Sequence, residues 1–165
     1  MTLRPYDDQR DRPLLRAWIE GPQTTRWLTS HEGALTETDL DAWCDTSSAS
    51  RWIHERDGVP VAYGELQAHR DVPYVRLARL LVDPARRMRG IGRELTWALA
   101  AQARADHPGW PIYTRIPPDN LPALLAYPSA GFVPLEPLPP NADASFLWLA
   151  LPESEPADPG GALDD

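Results

Sequence analysis

The stretch that decides how this chain folds is Val82-Asp83-Pro84-Ala85-Arg86-Arg87-Met88-Arg89-Gly90-Ile91-Gly92-Arg93. It follows an apolar, strand-like run and leads directly into a helical pattern of apolar residues. A strand–loop–helix junction of this kind presents free backbone N–H groups at the positive end of a helix dipole. Its two glycines leave room for a pyrophosphate, and its arginines can bind phosphate oxygens. The stretch therefore predicts a site for a phosphate-bearing cofactor, with a basic helix cap that binds no ligand as the alternative.

Two common nucleotide-binding motifs do not fit this stretch. A Walker loop requires Gly-Lys-Ser/Thr, and all 16 basic residues of the chain are arginine. A dinucleotide fingerprint has the spacing G-x-G-x-x-G in the first βαβ unit of a fold. Here the spacing is Arg-x-x-Gly-x-Gly, and it follows a predicted series of antiparallel strands. The cofactor is therefore not assigned by either motif.

The surrounding sequence predicts a mixed α/β fold over residues 1–151. Alternating apolar residues and turn signals such as Asp57-Gly58 predict three antiparallel strands in series, at 51–56, Val59–His69 and Tyr74–Val82. The other predicted elements are an edge strand at Thr2–Pro5, a helix that begins near Asp8 and is closed by Gly21-Pro22, a helical or irregular stretch around Trp27, a helix after Thr36, a helix at 90–105, a strand at 110–116, a short helix at 120–127, and strands at 132–135 and 146–151. Residues 152–165 are rich in proline, glycine and acid, so we expect a disordered tail.

Charge and hydropathy exclude several classes of partner. The formal net charge is −8, but five of the 24 acidic residues and none of the 16 basic residues lie in 152–165. The rest of the chain is thus weakly acidic, which argues against a nucleic-acid partner. No apolar run approaches the roughly 20 residues of a membrane span, and the charged first 16 residues lack a signal peptide. We expect a cytoplasmic protein without a membrane partner; a homodimer is left open.

Two spacings together resemble a known family. The first is Val82-x-Pro84-x-x-Arg87-x-x-Gly90-Ile91-Gly92, and the second is Asn120-x-x-Ala123-x-x-x-Tyr127-x-x-x-Gly131-Phe132. The first resembles the acetyl-CoA-binding motif of the GNAT acetyltransferase superfamily, and the second is similar to another signature of that family. With their strands the motifs cover 51–151, whereas the first fifty residues match only in predicted layout. The resemblance implies a mostly antiparallel central sheet that splays between its fourth and fifth strands, with helices on both faces.

The resemblance also implies how acetyl-CoA is bound, with no metal. Backbone groups of Leu80, Leu81 and Val82 would pair with the pantetheine arm as an added strand would. The pyrophosphate would be bound by the residues of the loop and helix start: Arg87, Met88, Arg89, Gly90, Ile91, Gly92 and Arg93. Asn120 would hydrogen-bond the pantetheine region, and Ala123 belongs to the same cofactor-binding set. Many relatives have glycine in place of Met88; because the N–H group does the binding, we expect methionine to be tolerated if its φ is negative.

Tyr127 and Glu65 are the catalytic candidates. The resemblance places the Tyr127 hydroxyl near the thioester sulfur, where it could protonate the leaving thiolate; the alternative is a ring packed on Phe132. A lysine-like amine, with a pKa of about 10.4, must lose a proton before it attacks, so a base is expected. Many relatives place an acid early in the strand before the phosphate loop, where this chain has Arg76. Glu65, which should lie opposite about Ala78, is the substitute as base or water-positioner; the alternative is a solvated or salt-bridged acid.

In such folds the loop between the first two helices builds the acceptor pocket. The resemblance therefore points to Trp27, His31 and Glu32, with Tyr63 beneath them. His31 could itself be a base, although an exposed loop histidine is the simpler interpretation, and Arg115 could face the substrate channel. The expected activity is acetyl transfer to a primary amine of a small molecule, by direct attack in a ternary complex. The alternatives are a protein or peptide N-acetyltransferase and a non-catalytic CoA-binding sensor.

Overall fold

The computed structural model describes residues 2–29, 31–44 and 48–153. Its strands are β1 (Thr2–Pro5), β2 (Ala49–Arg56), β3 (Val59–His69), β4 (Tyr74–Val82), β5 (Ile112–Ile116), β6 (Val133–Pro134) and β7 (Leu147–Leu151). Its helices are α1 (Asp8–Trp18), α2 (Gly21–Thr29), α3 (Glu37–Cys44), α4 (Ile91–Asp106) and α5 (Leu121–Ser129), with a 3₁₀ turn at Pro84–Arg86. The predicted tail lies outside the described residues from 154 onward.

All seven strands of this part of the chain form one sheet, in the order β1-β2-β3-β4-β5-β7-β6. Only the β4–β5 pair is parallel; the other neighbours are antiparallel. The predicted mixed fold with a mostly antiparallel sheet is confirmed. Two predicted boundaries are wrong: Gly21-Pro22 begins α2 instead of only closing α1, and β6 is two residues long. Proline is well suited to the first turn of a helix, because it lacks the N–H group that has no partner there.

Helices cover both faces of the sheet and give the molecule two apolar cores. On one face α4 and α5 pack on the inward side chains of β3, β4 and β5, around Leu77, Leu95 and Leu99. On the other face α1 and α3 pack on β2, β3 and β4, around Leu15 and Trp43. The predicted layering of helices on both sides is therefore confirmed.

Strands β4 and β5 pair over a short distance and then diverge. Their pairing is limited to Val75↔Ile112, Arg76↔Tyr113 and Leu77↔Thr114. Beyond Leu77, β4 continues to Val82 while β5 continues to Ile116 along β7 alone. The predicted splay is confirmed, and it leaves the 78–82 backbone of β4 unpaired on the β5 side. This opening, with the residues around it, is called the cleft below.

A β-bulge lies within the diverging part of β4. The register passes from Glu65↔Ala78 to Tyr63↔Leu81, so two residues of β4 oppose Gly64 of β3. One of them, Arg79, has a φ of 48°, in the left-handed region. A bulge re-aims side chains. It turns Arg79 and Leu81 toward the α1–α3 face, whereas strict alternation would place them with Leu77 on the α4 face.

Candidate active site

The loop after β4 delivers an open helix N-terminus to one end of the cleft. The Ala85 N–H donates to Asp83 Oδ1 over 3.0 Å and starts the 3₁₀ turn. Gly90 then precedes α4 with a φ of 77°, and a Cβ built on it meets nothing within 4 Å. No side chain caps α4. Its first N–H groups are thus available to an anion, with the dipole of a 16-residue helix behind them.

The arginines of this loop differ in their contacts. Arg86 pairs with Asp83 at 3.2 Å, and Arg87 reaches Glu20 at 3.8 Å. The Arg93 guanidinium lies 5.0 Å from the centroid of the Trp97 ring. Arg89 is exposed. All four lie around the start of α4, where their charge adds to the helix dipole.

Met88 does not have the negative φ under which methionine was expected to be tolerated. Its φ is 60°, not negative, and 98% of its surface is exposed. The chain turns through a left-handed conformation here, which a glycine adopts freely and a residue with a Cβ adopts at a cost of about 1–2 kcal/mol. The condition under which methionine was expected to be tolerated is therefore not met, although its N–H group is retained.

The far wall of the cleft is α5, whose start is fixed by Asn120. The Asn120 side-chain oxygen accepts from the Ala123 N–H at 3.1 Å and caps the helix. Its amide NH₂ group has no protein partner among the described residues, so it can still donate to a ligand. The two predicted cofactor-binding residues are therefore hydrogen-bonded to each other at the N-terminus of α5.

Tyr127 lies further along α5, at the point where the strands part. It is 5% exposed, and its ring meets Phe132 edge to face at a centroid distance of 5.3 Å. Burial raises the pKa of the hydroxyl to about 12, against the opposing effect of a hydrogen bond with Thr114. Thr114 belongs to the last β4–β5 pair. The ring thus packs on Phe132, and the neutral hydroxyl lies beside the last β4–β5 pair; its role near a thioester sulfur stays a prediction.

Glu65 lies opposite Ala78, as the register argument predicts, and it is completely buried. Its carboxylate accepts hydrogen bonds from Tyr63 (2.6 Å), Gln67 (3.0 Å) and Arg79 (2.7 Å). A carboxylate offers about four acceptor positions, of which three are filled. Glu65 is therefore the salt-bridged strand acid that the sequence left as the alternative, enclosed in a network on the α1–α3 face.

Arg79 is the residue of this network that the sequence did not predict. Besides its ion pair with Glu65, it donates to the Leu28 carbonyl of α2 at 3.1 Å and lies 4.9 Å from the centroid of the Trp43 ring. Strand alternation places Arg79 on the opposite face. Only the bulge brings it here, and neither periodicity nor composition signals a bulge.

Tyr63 is enclosed in the same network. It is 1% exposed, its ring meets Tyr6 edge to face at 5.6 Å, and its hydroxyl donates to Glu65. Burial, followed by the charge of Glu65, raises the pKa of Tyr63 well above its ordinary value. Tyr63 thus packs beneath the N-terminal helices and presents no open surface to an acceptor; its place in an acceptor pocket stays a prediction.

The three candidates for the acceptor pocket do not converge, and Trp27 lies within α2 instead of in a loop. Trp27 reaches across the cleft mouth, where its Nε1–H donates to Asp119 Oδ1 at 3.2 Å, and Arg26 forms an ion pair with the same Asp119. His31 instead contacts Asp39 Oδ1 at 2.6 Å and the Glu32 carbonyl at 3.1 Å. The Asp39 hydrogen bond raises the pKa of His31. Since both ring nitrogens are engaged and the charged form is favoured, His31 is a poor base.

The geometry described so far is an open strand edge that joins an uncapped helix N-terminus, with a buried tyrosine hydroxyl at its apex. A model of the acetyltransferase (GNAT) family matches residues 12–132, most of the chain. The chain belongs to this acetyltransferase family. No curated protein matches the sequence significantly.

Solved structures of other GNAT proteins share the fold at low sequence identity. Aminoglycoside acetyltransferase AAC(6')-Ib in complex with ribostamycin and coenzyme A superposes with a TM-score of 0.71, at 20% identity, over 90% of this chain and 91% of that one. Spermidine N-acetyltransferase from Vibrio cholerae, in complex with CoA and spermine, superposes with a TM-score of 0.68 at 14% identity, over 90% of this chain and 92% of that one. Ribosomal-protein-alanine N-acetyltransferase from Brucella melitensis superposes with a TM-score of 0.67 at 19% identity, over 91% of this chain and 98% of that one. At these identities the likeness shows the fold alone.

Two features are absent from the described residues. No helix there is long and apolar enough to cross a membrane. The same residues contain no group of three or more His, Cys, Asp and Glu side chains that could hold a metal ion.

Proposed function

We propose that this GNAT chain transfers an acetyl group from acetyl-CoA to a primary amine of a small molecule, within a ternary complex. The observation that carries the proposal is the unpaired edge of β4 at 78–82, which runs directly into the uncapped start of α4. An extended arm can pair with such an edge, while a diphosphate at its end meets the N–H groups of the helix. Neither a Walker loop nor a dinucleotide fingerprint provides that combination.

The residues that would hold acetyl-CoA fit it by position. Leu80, Leu81 and Val82 lie on the open edge, and 87–93 form the loop and first turn of α4. Asn120 and Ala123 stand on the opposite wall. The space beside Gly90 is open, so a phosphate can approach the backbone closely. When bound, acetyl-CoA would supply the thioester that the amine attacks, the C–N bond forming as the C–S bond breaks.

We assign Tyr127 the hydrogen bond to the departing sulfur. A hydroxyl with a pKa near 12 is a weaker acid than a thiol, whose ordinary pKa is about 8.5. Full proton transfer from Tyr127 to the thiolate is therefore uphill, whereas donation of a hydrogen bond is favourable. The proton that the thiol finally carries can come from the nitrogen, which must lose one as the amide forms.

For Glu65 we propose a role other than the predicted base or water-positioner, namely that of a group that positions neighbouring side chains. It is fully buried and its oxygens already accept three hydrogen bonds, so it does not meet the amine directly. It fixes the side chains of Tyr63, Gln67 and Arg79 beneath the cleft. Because both ring nitrogens of His31 are also engaged, the amine would bind in its neutral form after losing its proton to solvent.

A small acceptor is supported by the contact between α2 and the start of α5. Arg26 and Trp27 both bind Asp119 and so bridge the cleft mouth from one wall to the other. A groove for a peptide would need that side to be open. A peptide amine is the second candidate, and it gains support if breaking this bridge with Asp119→Ala leaves activity on small amines unchanged and increases activity on peptides.

Release of free thiol from acetyl-CoA in the presence of an amine panel tests the proposed reaction. We expect Tyr127→Phe to lower kcat by about 10- to 100-fold, as for a lost hydrogen bond to a charged group, and to leave the affinity for CoA unchanged. The matched control is Tyr6→Phe, which removes an exposed hydroxyl bonded to Asp8. Calorimetric binding of CoA without thiol release from any amine would instead identify a non-catalytic sensor.

A further inference from the structure

A second cavity opens beside the apex of the cleft, on the α1–α3 side of the sheet. Its volume is about 430 Å³, and it is built by the β3–β4 turn, the start of β4, the end of β5 and the loop between β6 and β7. It is called the Arg76–Arg115 pocket, after the two guanidinium groups in its wall. The other lining residues that matter here are His69, Asp71, Asp143 and Trp148.

The two arginines of the pocket are sequence neighbours of the last residue pair between β4 and β5. Arg76 directly precedes Leu77, and Arg115 directly follows Thr114, the residues of the last β4–β5 pair. One residue along a strand is about 3.3 Å. Because side chains alternate, Leu77 and Thr114 face α4 and α5, while Arg76 and Arg115 face the pocket. A molecule in the pocket therefore lies across the sheet from the Tyr127 hydroxyl, one residue along each strand from the last β4–β5 pair, and the charge of Arg76 acts on that hydroxyl in the direction that lowers its pKa.

The cations of this pocket are poorly compensated. Arg76 donates to the neutral side chain of Gln67, and its Nε is buried without a partner. Arg115 lies 4.4 Å from the centroid of the Phe146 ring. Within the part of the chain that the structure describes, neither arginine forms an ion pair. Desolvation, followed by the neighbouring charge of Arg115, lowers the pKa of Arg76 to about 10.

The acids around the pocket do not neutralise these cations. Glu65 is engaged by Arg79. Asp143 attracts Arg115 from a distance, but it is exposed and accepts two hydrogen bonds from Ser145. Asp71 lies exposed at the rim, near Arg70.

The pKa of His69 is also affected by the positive charge of the two arginines. Burial, followed by the charges of Arg76 and Arg115, lowers its pKa. Its Nε2 is also buried without a partner. Two partly buried guanidinium groups and the His69 side chain thus line one cavity. An uncompensated charge in such a place is costly unless a ligand supplies the opposite charge.

We propose that the Arg76–Arg115 pocket binds an oxyanion of the acceptor, a carboxylate or a phosphate, so that the acetylated amine belongs to a molecule that also carries negative charge. Two guanidinium forks are well matched to such groups, since each can donate two parallel hydrogen bonds. A polycation such as spermine would be repelled from this wall. That the anion belongs to the acetyl acceptor rests on the proposed acetyl transfer. Anion binding by the pocket can be tested without it.

The binding test uses acetate and inorganic phosphate as separate probes and the His69 imidazole as the reporter. We expect one or both anions to shift the His69 NMR signals in a saturable way and to raise its pKa, because an anion offsets the two cations beside it. Arg76→Gln and Arg115→Gln should each abolish saturation. The matched control, Arg104→Gln, removes an exposed arginine from α4 on the other side of the sheet and should change nothing. Shifts that are absent, or that persist unchanged in both pocket variants, would overturn the proposal. The relative affinities of the two anions identify the preferred class.

The transfer test compares amines in pairs that differ only in the anion, such as an amino acid and its amide, or phosphoethanolamine and ethanolamine. For the charged member, Arg115→Gln should raise KM by about 10- to 100-fold with little change in kcat, while the neutral member is unaffected. Equal use of both members by the wild-type protein would refute the specificity. Anion binding without thiol release would refute the proposed acetyl transfer but support the anion site. Thiol release without anion binding would support acetyl transfer and refute the anion site.

Discussion

The ion pair between Arg79 and Glu65 gives the sharpest test of the network beneath the cleft. Arg79→Met keeps most of the stem but leaves the Glu65 carboxylate, which is 0% exposed, with only two neutral donors. The Arg79 side chain is itself only 24% exposed, so solvent does not screen the pair strongly. Removing one partner of a buried pair costs about 3–5 kcal/mol.

This cost should appear in urea unfolding as a lower midpoint at an unchanged m-value. For a chain of this size the same change lowers Tm by roughly 6–20 °C. The double variant Glu65→Gln/Arg79→Met removes both charges and should recover most of the loss, because a neutral pair no longer leaves a charge buried alone. Arg56→Met is the control, since the Arg56–Glu94 pair is 30% and 22% exposed and should contribute about 1 kcal/mol or less.

Two results would refute this reasoning. One is an Arg79→Met protein within about 1 kcal/mol of wild type, which would mean that the pair is exchanged for water at little cost. The other is a double variant as unstable as the single one. In that case the loss comes from the contact of Arg79 with Trp43 and its bond to the Leu28 carbonyl, not from the stranded carboxylate.

Three further outcomes are expected. Met88→Gly should stabilise the fold by up to about 1 kcal/mol by relieving the left-handed φ, with CoA affinity retained in calorimetry; a loss of stability would show that the strain is absent. The raised pKa of His31 means that its bond to Asp39 stabilises the fold below the ordinary histidine pKa and that this gain disappears as pH rises through the folded-state value, so His31→Gln should flatten that part of the stability–pH curve. Gly64→Ala should cost about 1–3 kcal/mol in urea unfolding, because the added Cβ comes within 2.6 Å of Leu99 Cδ1, and an unchanged midpoint would show that Leu99 simply rotates away.

Local signals in the sequence were sufficient for most of the scaffold. Alternation and the Asp57-Gly58 turn predicted the β2–β3–β4 series, and the hairpin register placed Glu65 opposite Ala78. The motif after Val82 predicted the loop and helix start, because glycines and a helical period are visible residue by residue.

The remaining features depend on contacts that no local pattern encodes. The bulge that re-aims Arg79 is set by how β4 fits β3 and by the close approach of α4 at Gly64. The φ of Met88 reflects a turn whose geometry is imposed from both ends. The bridge from Trp27 to Asp119 joins residues 92 positions apart, and the pocket of Arg76 and Arg115 is assembled from four separate segments.

The brief meeting of β4 and β5 makes the sheet two smaller sheets, of four and three strands, that share a boundary of only three residue pairs. A ligand that hydrogen-bonds along the free edge would extend this boundary and act as a structural member of the protein. Amide hydrogens near Leu77 and Thr114 should then exchange more slowly once CoA is present, and thermal stability should rise with the logarithm of its concentration. Bound along the free edge of β4, the co-substrate would join the four-stranded part of the sheet to the three-stranded part.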